Sequence, residues 1–196
     1  MQHPTSADRT AQEADGGKSA GVHTQGCTRY NGSVSFRIRP FQEADFETLW
    51  RMDQVCFDSQ LAYSRPELAF YMQRPGAFTL VAESDDAEAG ANGGSAGRIL
   101  GFVVAEARRK TGHIITLDVV PETRRSGVGS ALLHAAEEQL LRAGAATVAL
   151  ETAVNNMAAI RFYKQKGYFV EKTVPGYYSN QLDALVMGKE LGVRSS

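Results

Sequence analysis

A strand, a glycine-containing loop and a helix follow one another without interruption in the middle of this chain. The apolar run Ile114–Val120 predicts a buried strand, which Pro121 ends. Two arginines and two glycines mark the loop that follows, which reads Arg124-Arg125-Ser126-Gly127-Val128-Gly129-Ser130. Amides at a helix N-terminus lack intrahelical partners, and glycines permit close backbone approach to a ligand. The arrangement predicts a site for an anion such as pyrophosphate.

Spacing excludes two other phosphate-binding loops. A Walker loop carries a lysine directly after its second glycine, whereas Ser130 follows Gly129 here. The dinucleotide fingerprint carries a third glycine, and Leu132 occupies that position. A strand–turn–helix junction with surface arginines is the structural alternative, so the loop must be interpreted together with the motif downstream.

That second motif follows the first helix. The strand Thr147–Leu150 ends in Glu151, and Asn156 opens a helix that carries Tyr163 twelve residues after the glutamate. With this motif in place, the chain resembles the GNAT family of acyl-CoA N-acyltransferases. The pyrophosphate loop of that family places Gln or Arg three residues before a glycine, with Gly or Ala two residues further on. These positions are occupied here by Arg124, Gly127 and Gly129.

Further residues resemble one branch of the family, the bacterial ribosomal-protein-alanine N-acetyltransferases (RimI), whose archaeal and eukaryotic relatives acetylate protein N-termini. The resemblance spans Phe36 to Leu191 and is strongest from Gly112 onward. The matching positions are Glu151, Asn156, Ala159-Ile160, Tyr163, Gly167-Tyr168, Tyr177-Tyr178, Asp183-Ala184 and Met187. Enzymes of this branch usually carry Pro-Trp after the residue that matches Phe57, whereas this chain carries Asp58-Ser59-Gln60. This departure leaves a strict specificity for N-terminal alanine open.

The resemblance implies the GNAT fold, an α/β (α+β) architecture with a mixed, mostly antiparallel sheet of about seven strands and helices on both faces. Acyl-CoA lies where two central parallel strands splay apart, here Ile114–Val120 and Thr147–Glu151. The pantetheine arm pairs with the first of them like a partial strand. The implied cofactor contacts are Leu117, Val119, Arg124, Arg125, Ser126, Gly127, Val128, Gly129, Ser130, Asn156 and Tyr163.

The family reaction assigns roles to three groups. The acceptor amine must be neutral to attack the thioester, and Glu151 is the expected base, acting through a water. The backbone amide of Val119 is the expected oxyanion donor. Tyr163 is the expected acid: its phenol, of pKa about 10, can donate a proton to the thiolate, whose conjugate acid lies near 8.5, in a transfer that is only slightly uphill. The structural alternatives are an ion pair between Glu151 and Arg161 or a neighbour, and a core position for Tyr163.

Two further polar residues lie in the central strand. His113 opens it at a position where some eukaryotic N-terminal acetyltransferases carry a catalytic tyrosine, so it is a second candidate base or a satisfied strand-end histidine. Asp118 interrupts the apolar run, where an unpaired carboxylate would be costly. It therefore needs a cationic partner, which is either the substrate ammonium or an arginine such as Arg37 or Arg39.

The acceptor side is expected to include Phe57, Tyr177 and Tyr178. In the N-terminal acetyltransferases the matching tyrosine pair contacts the backbone of the acceptor peptide. The alternative is a pair of turn aromatics that cover the edge of the sheet. Phe57 precedes the segment in which the chain departs from the family branch, so it lies where acceptor choice is made.

The expected reaction is transfer of acetyl from acetyl-CoA to a primary amine, with an N-terminal α-amino group as the favoured acceptor. An α-amino group has a pKa near 7.7 to 8.0 against about 10.4 for lysine, so a weak base suffices. A small-molecule amine, such as a polyamine, amino acid or antibiotic, is the alternative acceptor within the family. An acyl-CoA-binding sensor without turnover is the alternative outside catalysis, although Glu151 and Tyr163 argue against it.

Composition agrees with one soluble cytoplasmic domain, which we expect to be a monomer or weak dimer. The 196 residues are 43% hydrophobic, and a formal net charge of −1 gives no electrostatic reason to expect nucleic acid or a membrane as partner. Cys27 and Cys56 are expected to be free thiols, and no metal-like spacing occurs. The polar composition of residues 1–34 predicts a disordered leader, and the domain is expected over 35–193.

Periodicity predicts the remaining elements. Strands are expected at Phe36–Arg39, Phe78–Glu83, Ile99–Arg109, Tyr168–Val174 and Leu182–Leu191, and helices at Glu43–Phe57, Ser64–Met72 and Ser126–Arg142. Ser64 and Glu67 form a predicted capping box, and Gly144 is the expected left-handed terminator of the third helix. Residues 85–97 are small and polar and predict a mobile loop.

Overall fold

The computed structural model describes residues 9–10, 34–57, 61–89, 95–178 and 182–192. The strands are β1 (Arg9–Thr10), β2 (Phe36–Pro40), β3 (Ala77–Ala89), β4 (Ser95–Arg108), β5 (Thr111–Val119), β6 (Thr147–Ala153), β7 (Phe169–Val174) and β8 (Ala184–Glu190). The helices are α1 (Phe46–Cys56), α2 (Arg65–Met72), α3 (Val128–Arg142) and α4 (Met157–Gln165), with 3-10 turns at Glu43–Asp45 and Pro121–Thr123.

Seven of these strands form one continuous sheet in the order β2-β3-β4-β5-β6-β8-β7. Every neighbouring pair is antiparallel except β5 and β6, which are parallel. The predicted sheet of about seven mostly antiparallel strands with a central parallel pair is therefore confirmed.

The two central strands pair over only part of their length. Their register joins Thr111 to Thr147 and ends where His113 faces Ala149, although both strands run on beyond that point. β1 pairs in parallel with β5 further along, with Arg9 opposite Thr116 and Thr10 opposite Leu117. An extended backbone segment thus lies along β5 beyond the end of its pairing with β6, where the family resemblance places the pantetheine arm.

Helices cover both faces of the sheet, and each face has its own apolar cluster. The α3 cluster joins Leu132 and Leu140 of α3 and Tyr163 of α4 to β5 and β6 residues such as Leu117 and Leu150. The α1 cluster joins α1 and α2 to the opposite face through residues such as Leu49, Leu68, Phe102 and Ile115. Ile114 and Leu117 both belong to the α3 cluster although they are three residues apart in one strand, because the register between β4 and β5 shifts between Val104 and Ala105. The separation into two faces fixes which side chains can meet.

Local sequence signals explain the ends of several elements. Ser64 caps α2, and its backbone amide donates to Glu67 Oε2 at 2.9 Å, as predicted for a capping box. Gly144 follows α3 with a φ of 91°, which confirms it as the left-handed terminator. The helix expected from Glu43 begins instead as a 3-10 turn, because the Asp45 side chain and Gln42 close a capping box there.

Two predictions fall on segments that are only partly described. The strands β3 and β4 extend into residues 85–97, pairing Ala87 with Gly97 and Ala89 with Ser95, so a ladder takes up backbone groups where a loop was expected. Residues 90–94 and most of the predicted disordered leader, with Cys27, lie outside the described residues. Arg9 and Thr10 are the leader residues that form β1.

Candidate active site

The loop before α3 has the backbone geometry of an anion site. It follows the turn Pro121–Thr123, and Arg125 and Gly127 both adopt left-handed torsions, with φ of 65° and 96°. Gly127 is the N-cap of α3, which is 15 residues long. A Cβ at Gly127 would meet nothing within 4 Å, so the glycine is required for its torsion rather than for space. The first-turn amides of α3 are therefore presented at an open surface.

The same loop is tied to the central strand. Arg124 Nε donates to the Val119 carbonyl at 3.1 Å, and Ser126 Oγ donates to the Thr123 carbonyl at 2.5 Å. A Cβ at Gly129 would lie 3.4 Å from Val119 Cγ2, an ordinary van der Waals distance, so the start of α3 packs against the end of β5. The loop therefore has a fixed position relative to the strand that is expected to hold the acyl group.

Helix α4 contributes two predicted residues on the face covered by α3. Asn156 caps α4, because its Oδ1 accepts from the Ala159 amide at 3.0 Å. Tyr163 is 1% exposed and belongs to the α3 cluster together with Leu117 of β5 and Leu150 of β6. Its ring meets Tyr168 edge-on at 5.4 Å. Tyr163 therefore lies on the face of the sheet that α3 covers, beside residues of both central strands.

His113 and Glu151 lie together at the point where β5 and β6 separate. His113 Nε2 is 2.9 Å from Glu151 Oε2. The register explains this contact, since His113 faces Ala149 and Glu151 lies two residues further along the same side of β6. The two side chains are 21% and 16% exposed, so water or substrate can reach them. The two sequence-derived candidate bases are thus one hydrogen-bonded pair.

A third ionisable side chain stands beside this pair and was missed from the sequence. Glu106 of β4 is the cross-strand partner of His113, is 3% exposed and receives Arg108 Nε at 2.8 Å. Arg74 approaches the same carboxylate at 3.5 Å from the segment after α2. Glu106 and Arg108 are two residues apart in β4, so their side chains share a face of the sheet, and this spacing could have shown that Arg108 has a nearby acid.

The aromatic residues expected on the acceptor side lie in two neighbouring clusters. Phe57 is 8% exposed and ends α1, within the α1 cluster. Tyr178 is 4% exposed, packs with Ala153 and Ala184, and meets Tyr177 edge-on at 5.1 Å. Leu61 packs against both clusters, so the turn after α1 and the turn before β8 adjoin one another.

Asp118 is fully buried on the face covered by α1. Its Oδ2 accepts from Thr116 Oγ1 at 2.9 Å. The predicted arginine partners are wrong, because Arg37 pairs with Glu83 at 2.5 Å and Arg39 pairs with Asp45 at 2.7 Å. Burial raises the pKa of Asp118 well above the ordinary value for aspartate, and the charge of Asp53 adds to the rise. Contact with a substrate ammonium stays a prediction.

The remaining composition-based expectations concern thiols, metals and membranes. Cys56 is a free, buried thiol whose pKa is raised by burial to about 12, so it is not a thiolate near neutral pH. Among the residues that the structure describes, no His, Cys, Asp and Glu side chains form a group able to hold a metal ion. None of the described helices has the length and apolarity needed to cross a bilayer.

Comparison with known sequences places this site in a family. The profile of the acetyltransferase (GNAT) family matches residues 44–168. An uncharacterised N-acetyltransferase of Methanocaldococcus jannaschii is 32% identical over 154 residues, which are 78% of this chain and 90% of that protein. N-alpha-acetyltransferase 20 of Dictyostelium discoideum is 35% identical over 126 residues, which are 63% of this chain and 70% of that protein.

Solved structures show the same fold. Ard1 from Thermoplasma volcanium superposes with a TM-score of 0.69 and 27% identity, over 81% of this chain and 99% of that one. The ribosomal-protein-S18-alanine N-acetyltransferase of Escherichia coli gives a TM-score of 0.67 at 20% identity, over 82% and 97%. The chain belongs to the GNAT family of acetyltransferases. It is an acetyl-transferring enzyme, and its acyl donor is acetyl-CoA.

Proposed function

We propose that this enzyme acetylates the N-terminal α-amino group of proteins or peptides, with His113 and Glu151 as its proton-accepting pair. The observation that carries the proposal is the 2.9 Å contact between His113 Nε2 and Glu151 Oε2 where the central strands separate. The curated relative from Dictyostelium discoideum is named an N-alpha-acetyltransferase, which supports the same acceptor class.

The cofactor would bind along the face covered by α3 and the gap between β5 and β6. The first turn of α3 and the torsions of Arg125 and Gly127 suit the pyrophosphate. The pantetheine arm would use the β5 backbone near Thr116 and Leu117, where β1 already shows that an extended chain can pair. Arg124, Ser126, Val128, Gly129 and Ser130 complete the proposed loop contacts, and the Asn156 amide would bind the arm.

The acceptor amine would enter from the opposite face, beside Phe57, Tyr177 and Tyr178. Near pH 7.5 about a third of α-amino groups are neutral, against about one lysine side chain in a thousand. A base that acts through water therefore suffices for an α-amine. As the amine attacks, Glu151 would accept its proton through a bridging water while His113 holds the carboxylate in place.

The oxyanion and the leaving thiolate are both anions, so each needs a donor. The Val119 amide would donate to the oxyanion that forms on the thioester carbonyl. Tyr163 would then protonate the departing thiolate of coenzyme A, since its side chain is buried in the α3 cluster with Leu117 of β5 and Leu150 of β6. The proton taken up by Glu151 would return to bulk water through the partly exposed pair, and the Tyr163 phenolate would regain a proton from water before the next turnover.

A competition between acceptors tests this proposal. The protein would be incubated with acetyl-CoA, peptides that differ in their first residue and carry an internal lysine, N-terminally blocked copies of them, and common small amines. Mass spectrometry would locate the acetyl group. We expect acetyl on free α-amines only, loss of transfer in Glu151→Gln, and normal transfer in the matched control Glu190→Gln, which changes an exposed acid on β8.

Two outcomes would contradict the proposal. Acetyl found only on a small amine would move the function to the alternative acceptor class, which the departure after Phe57 leaves open. Saturable acetyl-CoA binding without transfer to any acceptor in the panel would favour a sensor of acyl-CoA.

A further inference from the structure

Two buried aspartates lie where α1 packs against β5. Asp53 of α1 and Asp118 of β5 are both 0% exposed. Cys56, one turn after Asp53, donates its thiol to the carbonyl of Val119 at 3.4 Å, so this face of α1 rests directly on β5 beside Asp118. An isolated ionised carboxylate at such a position is strongly destabilising, and two of them would also repel one another.

The contacts of the two carboxyl groups differ. Asp53 Oδ2 accepts from two N–H donors, the Tyr63 amide at 2.6 Å and Gln54 Nε2 at 3.2 Å, and such donors favour a carboxylate. Asp118 Oδ2 accepts only the Thr116 hydroxyl, and Asp118 Oδ1 has no hydrogen-bond partner among the described residues although it is buried. A proton on that oxygen would turn an unsatisfied acceptor into a donor.

The charged and titratable groups that face Asp118 are few. Asp53 and Cys56 come from α1, and burial keeps the Cys56 thiol protonated. Arg124 is the cation that approaches from the loop, and its Nε is bonded to the Val119 carbonyl. Burial and the Asp53 charge both favour the protonated form of Asp118, and they outweigh Thr116, Cys56 and Arg124.

We propose that Asp118 is held as a neutral acid that shares its proton with the Asp53 carboxylate, and that this pair positions the turn through Tyr63 against the catalytic strand. The proton supplies the hydrogen bond that Asp118 Oδ1 otherwise lacks. It also removes one of two like charges from the apolar cluster. The pair is a positioning device, since neither group is exposed to substrate in the structure.

The positions of the two residues connect the acceptor side to the central strand. Asp53 binds the Tyr63 amide, while Gln54 Nε2 and Trp50 Nε1 donate to the Tyr63 carbonyl at 2.7 and 3.2 Å. Both backbone groups of Tyr63 are thus held by α1. Asp118 directly precedes Val119, whose amide is the proposed oxyanion donor. The functional half of this inference rests on the proposed function, but the shared proton does not.

Linkage gives the inference a test that does not depend on activity. A carboxyl group whose pKa is raised in the folded state stabilises the fold most at low pH, and that stabilisation is lost as pH rises from the ordinary aspartate value towards the raised one. Asp118→Asn keeps an acceptor for Thr116 and a donor for Asp53, but it cannot ionise. We therefore expect thermal stability to fall more steeply with pH in the unchanged protein than in Asp118→Asn.

The first experiment measures Tm between pH 5 and pH 9 for the unchanged protein, Asp118→Asn and the exposed-acid control Glu190→Gln. We expect the control to follow the unchanged protein, and Asp118→Asn to be relatively more stable as pH rises. Identical pH dependence in all three would overturn the shared proton. Infrared spectra of the folded protein at pH 7 provide a readout that needs no stable variant: we expect the carbonyl band of a protonated carboxyl group, and its absence would overturn the proposal.

Kinetics test the positioning role separately. Asp118→Ala should lower kcat/KM for the acceptor about tenfold, through a buried hydrogen bond worth about 1.4 kcal/mol, and leave the KM for acetyl-CoA unchanged. Asp118→Asn should restore acceptor kcat/KM at pH 7. Equal losses for both substrates, or no rescue by asparagine, would contradict positioning of the acceptor side even where the Tm data support the shared proton. An enzyme that acetylates only small amines would contradict the proposed acceptor and leave the Tm and infrared tests intact.

Discussion

The face of the sheet under α3 and α4 and the face under α1 and α2 organise their sites by different means. On the first, the anion loop is shaped by backbone torsions, with Arg125 and Gly127 in left-handed conformations at the start of a long helix. On the second, buried carboxylates and aromatic rings position a turn, as Asp53 does for Tyr63. A backbone-built site suits a ligand common to a whole family, whereas a side-chain-built site can change with each acceptor.

The His113–Glu151 pair lies between these regions, on the α1 side but at the edge of the gap expected to hold the acyl group. Changing this pair should slow acetyl transfer strongly without weakening acetyl-CoA binding. We expect Glu151→Gln to lower kcat by about 10² to 10⁴, the usual contribution of a positioned general base, with the Kd for acetyl-CoA unchanged. Stopped-flow transfer assays and calorimetric titration would measure the two quantities. A proportionate loss of acetyl-CoA binding would show that Glu151 supports the fold of the site instead.

A change in the anion loop should weaken acetyl-CoA binding and leave the use of the acceptor unchanged. Gly127→Val forces a β-branched residue into a φ of 96°, at a cost of about 1 to 2 kcal/mol. We expect the Kd for acetyl-CoA to rise about tenfold while the KM for the acceptor stays constant.

The other end of α3 provides a matched control for that change. Gly144 has a φ of 91°, and a Cβ there would also meet nothing within 4 Å. Gly144→Val should lower Tm by a similar amount without weakening acetyl-CoA binding. Equal loss of binding in both variants would mean that general destabilisation, not the loop, governs acetyl-CoA affinity.

The ion pair between Arg39 of β2 and Asp45 should make stability depend on pH in the opposite direction from Asp118. Burial alone would raise the pKa of Asp45, but hydrogen bonds from Arg39 and from the Gln42 amide lower it below the ordinary value. Stability from this group is therefore present above about pH 4, near the ordinary aspartate pKa, and lost as pH falls through its lowered pKa. This is opposite to the direction expected for Asp118.

We therefore expect Asp45→Asn to lower Tm at pH 7 by about 5 °C, because the Arg39 pair is a charged hydrogen bond worth roughly 2 kcal/mol in a chain of this size. The difference should shrink as pH falls below the lowered pKa of Asp45. Calorimetry at both ends of the pH range measures it. A constant difference across the range would show that the ionised form of Asp45 is not what stabilises this region.

Strand β1 gives the smallest expected effect. It pairs with Thr116 and Leu117, the same β5 residues that the pantetheine arm is proposed to use. If β1 must leave before acetyl-CoA binds, removing residues 1–33 should lower the KM for acetyl-CoA by about two- to threefold, because a larger fraction of molecules is competent to bind. The acceptor KM should not change. An unaltered KM for acetyl-CoA would show that β1 and the cofactor do not compete.

The same contrast between faces explains what the sequence could predict. The anion loop was predictable because glycine spacing and a following helix are local signals, and the resemblance named its ligand. The mostly antiparallel sheet with one central parallel pair followed from the family resemblance and is confirmed. Contacts between distant residues were harder to predict. His113 and Glu151 were proposed separately, because their contact depends on the register of β5 against β6.

Asp118 shows where inference from sequence failed. An arginine partner was a reasonable expectation, but on β2 Arg37 forms an ion pair with Glu83 and Arg39 forms one with Asp45. A signal for the actual neighbour was present: Asp53 interrupts the apolar stripe of α1 between Leu49 and Cys56 at helical spacing. Two acids that each interrupt a buried apolar pattern suggest that their carboxyl groups share a proton, and not that an arginine pairs with one of them.

The central claim is that His113 and Glu151 act as one unit during acetyl transfer. A double-mutant cycle measures this directly through single-turnover rates of transfer to a free α-amine in Glu151→Gln, His113→Gln and the double variant. We expect His113→Gln to lose about tenfold, less than the loss in Glu151→Gln, and the double variant to be no slower than Glu151→Gln alone. Losses that multiply in the double variant, or a wild-type rate in Glu151→Gln, would contradict it.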